Sequence, residues 1–294
     1  MAEDVGISPP GYRLPDATRI GRIRLQVADI DRSIAYYQKV LGLDVRERSD
    51  GFASLVPTGG GDSILELKER KDARAVPRRG LLGLYHFAVL LPDRASLGQF
   101  VAHLSEIGVY AGMSDHLVSE AVYLTDPDGL GIEVYADRPR ESWQAVNRQL
   151  TMASNPLDVQ NLIASAGGTK WDGMPAGTKI GHVHFYVGDI GPAADFYHGG
   201  LGLAKIVWSY PGALFMSAGG YHHHVGVNTW AEGSPVATDD DARLIDWELI
   251  LPDRTSAEGA GQSLESAGVD VTHADGFIEA SDPWGIKLRI RSEA

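Results

Sequence analysis

The sequence predicts an α+β fold of four copies of one small βαβββ module, packed in pairs into two cupped, half-barrel sheets. Three observations carry this: a repeat of half the chain, a switch from period-2 to helical apolar spacing inside each quarter, and a pairing of polar residues between quarters. The repeat is read first, because a missed repeat misassigns the whole fold. IGRIRLQVADIDRSIAYYQKVLGL begins at Ile20, and IGHVHFYVGDIGPAADFYHGGLGL begins at Ile180. Gly21 matches Gly181, Asp29 matches Asp189, Tyr37 matches Tyr197 and Gly42 matches Gly202, all at an offset of 160. LYHFAVLLPDRAS from Leu84 and LIDWELILPDRTS from Leu244 share that offset. The chain therefore divides into an N-terminal extension (1–19), a first half (20–137), a linker (138–179) and a second half (180–292).

Each half divides again. Ile23, Leu25 and Val27 alternate as a strand does. Asp31-Arg32-Ser33 is a helix start, and Ile34, Tyr37 and Leu41 follow at helical spacing up to Gly42. LDVRERS, GFASLVPT and SILELKE then supply three strands. The unit from Leu84 repeats the plan, with a helix through Leu97, Phe100, Val101 and Leu104 and the strands VYAGMSD, EAVYLTD and GIEVYAD. The modules are thus 20–70, 83–137, 180–230 and 243–292. One such sheet leaves an apolar face and an edge uncovered, so modules must pair. The linker contains SWQAVNRQLTMASNP and LDVQNLIASAGG, which suit one or two short helices, and its length lets the chain cross between domains.

Which modules pair follows from the residues expected inside each cup. First-strand positions are Arg22, His86, His182 and Asp246; fourth-strand positions are Glu66, Glu133, Gly226 and Arg289. Modules two and three together hold His86, His182 and Glu133. Two imidazoles and one carboxylate are the facial triad of iron(II), which leaves three coordination positions open. Modules one and four hold two cations and two anions, a charge-balanced buried network rather than a metal site. A lone strand histidine is more often a satisfied core residue than a ligand. The expectation rests on the repeat-equivalent placement of both histidines, with the pairing two with three and one with four.

Bulk properties narrow the partners. A formal charge of -13 repels nucleic acid and anionic membranes. The absence of cysteine excludes disulfides, thiolate metal sites and cysteine nucleophiles. MAEDVGISPPGYRLPD has no basic region followed by an apolar run, and no stretch is apolar enough to span a bilayer, so a cytoplasmic protein is expected. The sequence leaves the oligomeric state open, and exposed sheet edges are compatible with a homodimer.

Two further stretches carry a family resemblance. HLVSEAVYLTDPDGLGIE (His116 to Glu133) is similar to the extradiol dioxygenase signature, with His116, Tyr123, Asp126-Pro127, Gly129 and Glu133 in the matching order. YHHHVGVNTW from Tyr221 resembles the strand carrying that family's acid–base histidine. The tandem plan resembles the vicinal oxygen chelate superfamily of glyoxalase I, bleomycin-resistance proteins and type I extradiol dioxygenases. More narrowly, nearly the whole chain from about residue 18 resembles the CatE-type catechol 2,3-dioxygenase group of Bacillus.

The resemblance implies an iron(II)-dependent ring-cleaving dioxygenase of aromatic catabolism. Its substrates would be a catechol-type aromatic and O2, with His86, His182 and Glu133 on the metal. His223, with His224 second, would be the acid–base group, and Tyr123 and His116 would hydrogen-bond substrate oxygens. Asn228 and Trp230 are candidates to line the pocket. One departure stands out: better-known relatives carry the ligands in the last two modules, whereas here the last has Asp246 and Arg289. The rival readings are a glyoxalase-like isomerase or lyase using Mn(II), Ni(II) or Zn(II), and a non-catalytic drug-binding protein. The isomerase wants a fourth protein ligand, where this chain has Gly226.

Overall fold

Period-2 apolar spacing becomes strand and helical spacing becomes helix in all four modules of the computed structural model, which describes residues 5–293. Residues 1–4 of the N-terminal extension lie outside the described residues. Module one runs β1 (Arg19–Val27), α1 (Ile30–Tyr36), β2 (Leu43–Ser49), β3 (Phe52–Pro57) and β4 (Leu65–Glu69). Module two runs β5 (Gly83–Leu90), α2 (Arg94–Glu106), β6 (Gly112–Asp115), β7 (Ser119–Thr125) and β8 (Gly131–Asp137). The linker holds β9 (Ala145–Val146), β10 (Gln149–Leu150) and α3 (Val159–Ser165). Module three follows as β11 (Lys179–Tyr186), α4 (Ile190–Ala194), β12 (Ala204–Val207), β13 (Ala213–Ser217) and β14 (Val225–Asn228). Module four is β15 (Arg243–Leu251), α5 (Arg254–Ser266), β16 (Val271–Ala274), β17 (Phe277–Ser281) and β18 (Lys287–Ser292).

One aspartate starts the helix of each module. Asp29, Asp93, Asp189 and Asp253 accept a backbone N–H two or three residues ahead, at 2.7–3.0 Å. The first helix thus begins at Ile30, earlier than the Asp31-Arg32-Ser33 start expected, because the cap is Asp29. In the linker, LDVQNLIASAGG forms α3, but the preceding stretch is a tiny hairpin rather than a helix. Asn147 and Arg148 both take positive φ (52° and 67°), the conformation of a two-residue hairpin turn.

Two curled eight-stranded sheets result. The first has the order β12-β13-β14-β11-β5-β8-β7-β6, joining modules three and two. The second has the order β16-β17-β18-β15-β1-β4-β3-β2, joining modules four and one. The expected pairing is the observed one. At each seam the first strands run antiparallel, with His184 opposite His86 and Arg24 opposite Asp246. Within each module the first strand lies parallel to the fourth. The sequence halves therefore contribute one module to each sheet. The two short connections between modules run beside each other, paired at Arg74–Asp241 and Leu82–Val236.

The sheets share one hydrophobic core, in which Phe185 of the first faces Trp247 of the second at 5.9 Å between ring centroids. Two repeat-related hydrogen bonds cross it. Helices α1 and α4 each continue into a π-helical turn, Tyr37–Leu41 and Asp195–Gly200. Those turns carry Tyr37 and Tyr197, whose hydroxyls donate to Asp126 and Asp282 of the opposite sheet, both at 3.0 Å.

The cup of the second sheet holds the expected charge network, wider than the four residues read from the sequence. Arg22 meets Glu66 at 2.5 Å and Glu248 at 2.9 Å, and Arg24 meets Glu66 at 2.8 Å and Asp246 at 3.0 Å. Arg289 lies 3.6 Å from Asp246 and 3.2 Å from Glu279, and Arg291 lies 3.3 Å from Glu248. Four guanidinium groups thus face four carboxylates, which satisfies the need to pair buried charge.

Candidate metal centre and cavity

In the first sheet, three adjacent strands deliver His86 (β5), Glu133 (β8) and His182 (β11) to one point. A bulge sets the last of these. The pairing of β11 with β5 slips between Ile180 and His182, at Gly181. Only glycine fits there, since a Cβ would lie 1.8 Å from the Tyr135 hydroxyl. His86 Nε2 and His182 Nε2 lie 3.0 and 3.3 Å from Glu133 Oε2. All three side chains are buried.

These residues fit a divalent metal. Bonds of about 2.1 Å at right angles put neighbouring ligand atoms about 3 Å apart, the spacing found between the nitrogens and Glu133. Among the described residues, Nδ1 of His86 and Nδ1 of His182 have no hydrogen-bond partner although buried, and His86 Nε2 has only its 3.0 Å approach to Glu133. Burial pushes the Glu133 carboxyl up, but His182 and then His86 outweigh it and hold it well below the usual carboxylate range. Burial, against the pull of Glu133, lowers His182 to about 4. An ionised carboxylate beside a neutral imidazole is the protonation a cation requires.

A cavity of about 270 Å³ opens beside the triad, lined by His86, Glu133, Tyr123, His116 and His223 and by the aromatic walls Tyr85, Tyr210, Phe215 and Trp230. The hydroxyl of Tyr123 lies 2.5 Å from Nε2 of His116, whose Nδ1–H donates to the Ala153 carbonyl at 2.6 Å. Both His116 nitrogens are thus engaged inside the protein, so His116 reaches a ligand through Tyr123 rather than directly. Burial, and then the charge of Glu133, keeps the Tyr123 phenol well above its usual range.

The histidine run is split three ways. His223 lines the cavity, with its ring centroid 4.0 Å from that of His182. Burial, and then the neighbouring imidazoles, holds it well below the ordinary histidine value, hence neutral. His224 lines a different pocket, with Asp137, Arg140 and Lys179, and its Nδ1 accepts the Ala218 N–H at 3.2 Å. His222 is fully buried between them.

Sequence reasoning missed His184. It lines the cavity with its ring centroid 5.0 Å from that of His86. The signal was available, since a residue two past His182 on a strand faces the same side. The amide of Asn228 donates to His184 Nε2 at 3.0 Å, so Asn228 fixes a wall residue, while Trp230 is itself a wall. Gly226 lies under His184: a Cβ there would fall 2.9 Å from its ring. No carboxylate fits at Gly226 as a fourth ligand without displacing that imidazole.

Comparison with known proteins identifies the family. A model of the Glyoxalase/Bleomycin resistance protein/Dioxygenase superfamily matches residues 19–134. The chain is 39% identical to a catechol-2,3-dioxygenase of Bacillus subtilis over 270 residues, covering 90% of this chain and 94% of that protein. Among solved structures, a proposed dioxygenase from Bacillus subtilis superposes with a TM-score of 0.66 at 14% identity, covering 96% of this chain and 86% of that one. Glyoxalase I from Zea mays superposes with a TM-score of 0.56 at 16% identity, covering 94% and 92%. The two structural likenesses concern the fold alone.

Proposed function

From the premise that this chain belongs to the Glyoxalase/Bleomycin resistance protein/Dioxygenase superfamily, we propose that it is an iron(II)-dependent extradiol dioxygenase of a small catechol-type aromatic. Both atoms of O2 enter the product as the ring carbon–carbon bond beside the diol breaks. The observation that carries the reading is the meeting of His86, His182 and Glu133 at the cavity, with donor spacing suited to one ion. The 39% identity to a catechol-2,3-dioxygenase supports the choice of reaction.

A metal held by these three residues supplies Lewis acidity toward the diol and a redox route between ring and O2. The protein supplies the rest. Tyr85, Tyr210, Phe215 and Trp230 give an aromatic ring apolar walls to pack against. His223, neutral and beside the triad, takes a proton from a catechol hydroxyl and returns it as the ring opens. Tyr123, whose hydroxyl hydrogen goes to His116 Nε2 in the free site, redirects that hydrogen to a substrate oxygen as charge develops there.

The test is anaerobic purification, reconstitution with Fe(II), and assay with catechol. Oxygen consumed one-to-one with catechol, with a yellow ring-fission product, is the expected result. Tight nickel or zinc binding without oxygen uptake would instead identify an isomerase, and no metal binding at all would leave a small-molecule binding protein.

A further inference from the structure

We propose that Asp137 and His222 are positioning residues that decide which nitrogen of His223 carries its proton, and so leave Nε2 as the free base. The inference rests on the reading of His223 as the acid–base group, but concerns a state of the protein that can be read without any reaction.

The three residues form a line of hydrogen bonds leading away from the cavity. His222 Nδ1 lies 2.7 Å from His223 Nδ1, and His222 Nε2 lies 3.0 Å from Asp137 Oδ1. An ionised carboxylate can only accept, so His222 Nε2 must carry a hydrogen. We take His222 with that single N–H, which leaves its Nδ1 as an acceptor. Only one donor remains for the 2.7 Å contact, the Nδ1–H of His223. Its Nε2 then holds a lone pair.

Independent features lock this arrangement. The Tyr221 hydroxyl donates to the same Asp137 oxygen at 3.1 Å, and the Tyr135 hydroxyl lies 2.6 Å from that of Tyr221. Asp137 is thus held as an acceptor by two donors. The His222 ring is packed by Tyr221 at 4.1 Å and Trp143 at 5.6 Å between centroids. Nitrogens of His182, His222 and His223 also approach within 4.8 Å of one another. In the proposed arrangement the 2.7 Å contact is a hydrogen bond between the two Nδ1 atoms, which leaves neither of them a free lone pair for an ion. A His222 carrying both hydrogens would reverse the last bond, making His223 a donor at Nε2 and useless as a base.

Nitrogen NMR of 15N-histidine-labelled, metal-free protein at pH 8 decides the matter. The expected spectrum shows His223 protonated at Nδ1 and bare at Nε2, and His222 the reverse. A His223 protonated at Nε2 in the unmutated protein overturns the proposal, whether or not any variant folds. In Asp137→Ala the His223 signals should become mixed or reversed, and Asp137→Glu should restore them. Unchanged His223 signals in folded Asp137→Ala would also overturn it. In iron-loaded enzyme, Asp137→Ala should lower kcat by about 10²-fold, with KM within about twofold. The expected spectrum without any catechol cleavage would leave the tautomer assignment standing and remove the catalytic reading instead.

Discussion

Tyr123 shows how a single side chain couples packing to chemistry. Its β7 position puts the ring 5.8 Å from His86 and the hydroxyl against His116, so it is both wall and donor. Tyr123→Phe keeps the wall and removes the donor. The expected outcome is full metal content with kcat lower by about 10²-fold, the usual cost of one oriented donor to developing charge. An unchanged kcat would assign Tyr123 to packing alone. At this scale the sequence was a partial guide. His86, His182 and Glu133 were legible because strand alternation and the repeat fix which way they point. His222, His223 and His224 were not separable, because they lie in the loop before β14, where no period applies. The inward role of Asp137 was hidden because its carboxylate acts on the far side of His222.

Among elements, the π-helical turns after α1 and α4 do the work of joining the two sheets. Their tyrosines reach Asp126 and Asp282, which also accept backbone N–H groups from Leu130 and Ile286 at 2.8 and 2.9 Å. The repeat revealed Tyr37 and Tyr197 as equivalents, but periodicity could not show that their hydroxyls cross to the other sheet. Burial pushes both carboxyls up to about 6, despite these hydrogen bonds. The unfolded carboxyl titrates near 3.9, so the folded state binds more protons between those values. This contribution to stability is fully present below about 3.9 and is lost as pH rises through about 6. Relative to the Asp126→Asn/Asp282→Asn double variant, the unmutated protein should therefore gain stability when urea denaturation is moved from pH 7.5 to 5. Parallel pH dependence in the two proteins would contradict the assignment.

For the whole molecule, one arrangement yields two cups with opposite contents. Four related modules pair as two with three and one with four, giving a triad with unpartnered buried nitrogens in one cup and a closed ion network in the other. That division was readable from eight aligned positions, since only this pairing unites His86 with His182. The breadth of the network was not, because Arg24, Glu248 and Arg291 come from neighbouring positions along the same strands and Glu279 comes from β17, a strand outside the eight aligned positions. The central claim is that metal belongs to the first cup alone. Its most direct test is metal analysis after Fe(II) reconstitution of the unmutated protein, His86→Ala, Glu133→Ala and Asp246→Asn. The account predicts one ion per chain in the first, loss of it in the two ligand variants, and full occupancy in Asp246→Asn with stability lowered by about 1–3 kcal/mol as Arg24 and Arg289 lose a charged acceptor. Full metal in His86→Ala or Glu133→Ala, or loss of metal in Asp246→Asn, would contradict it.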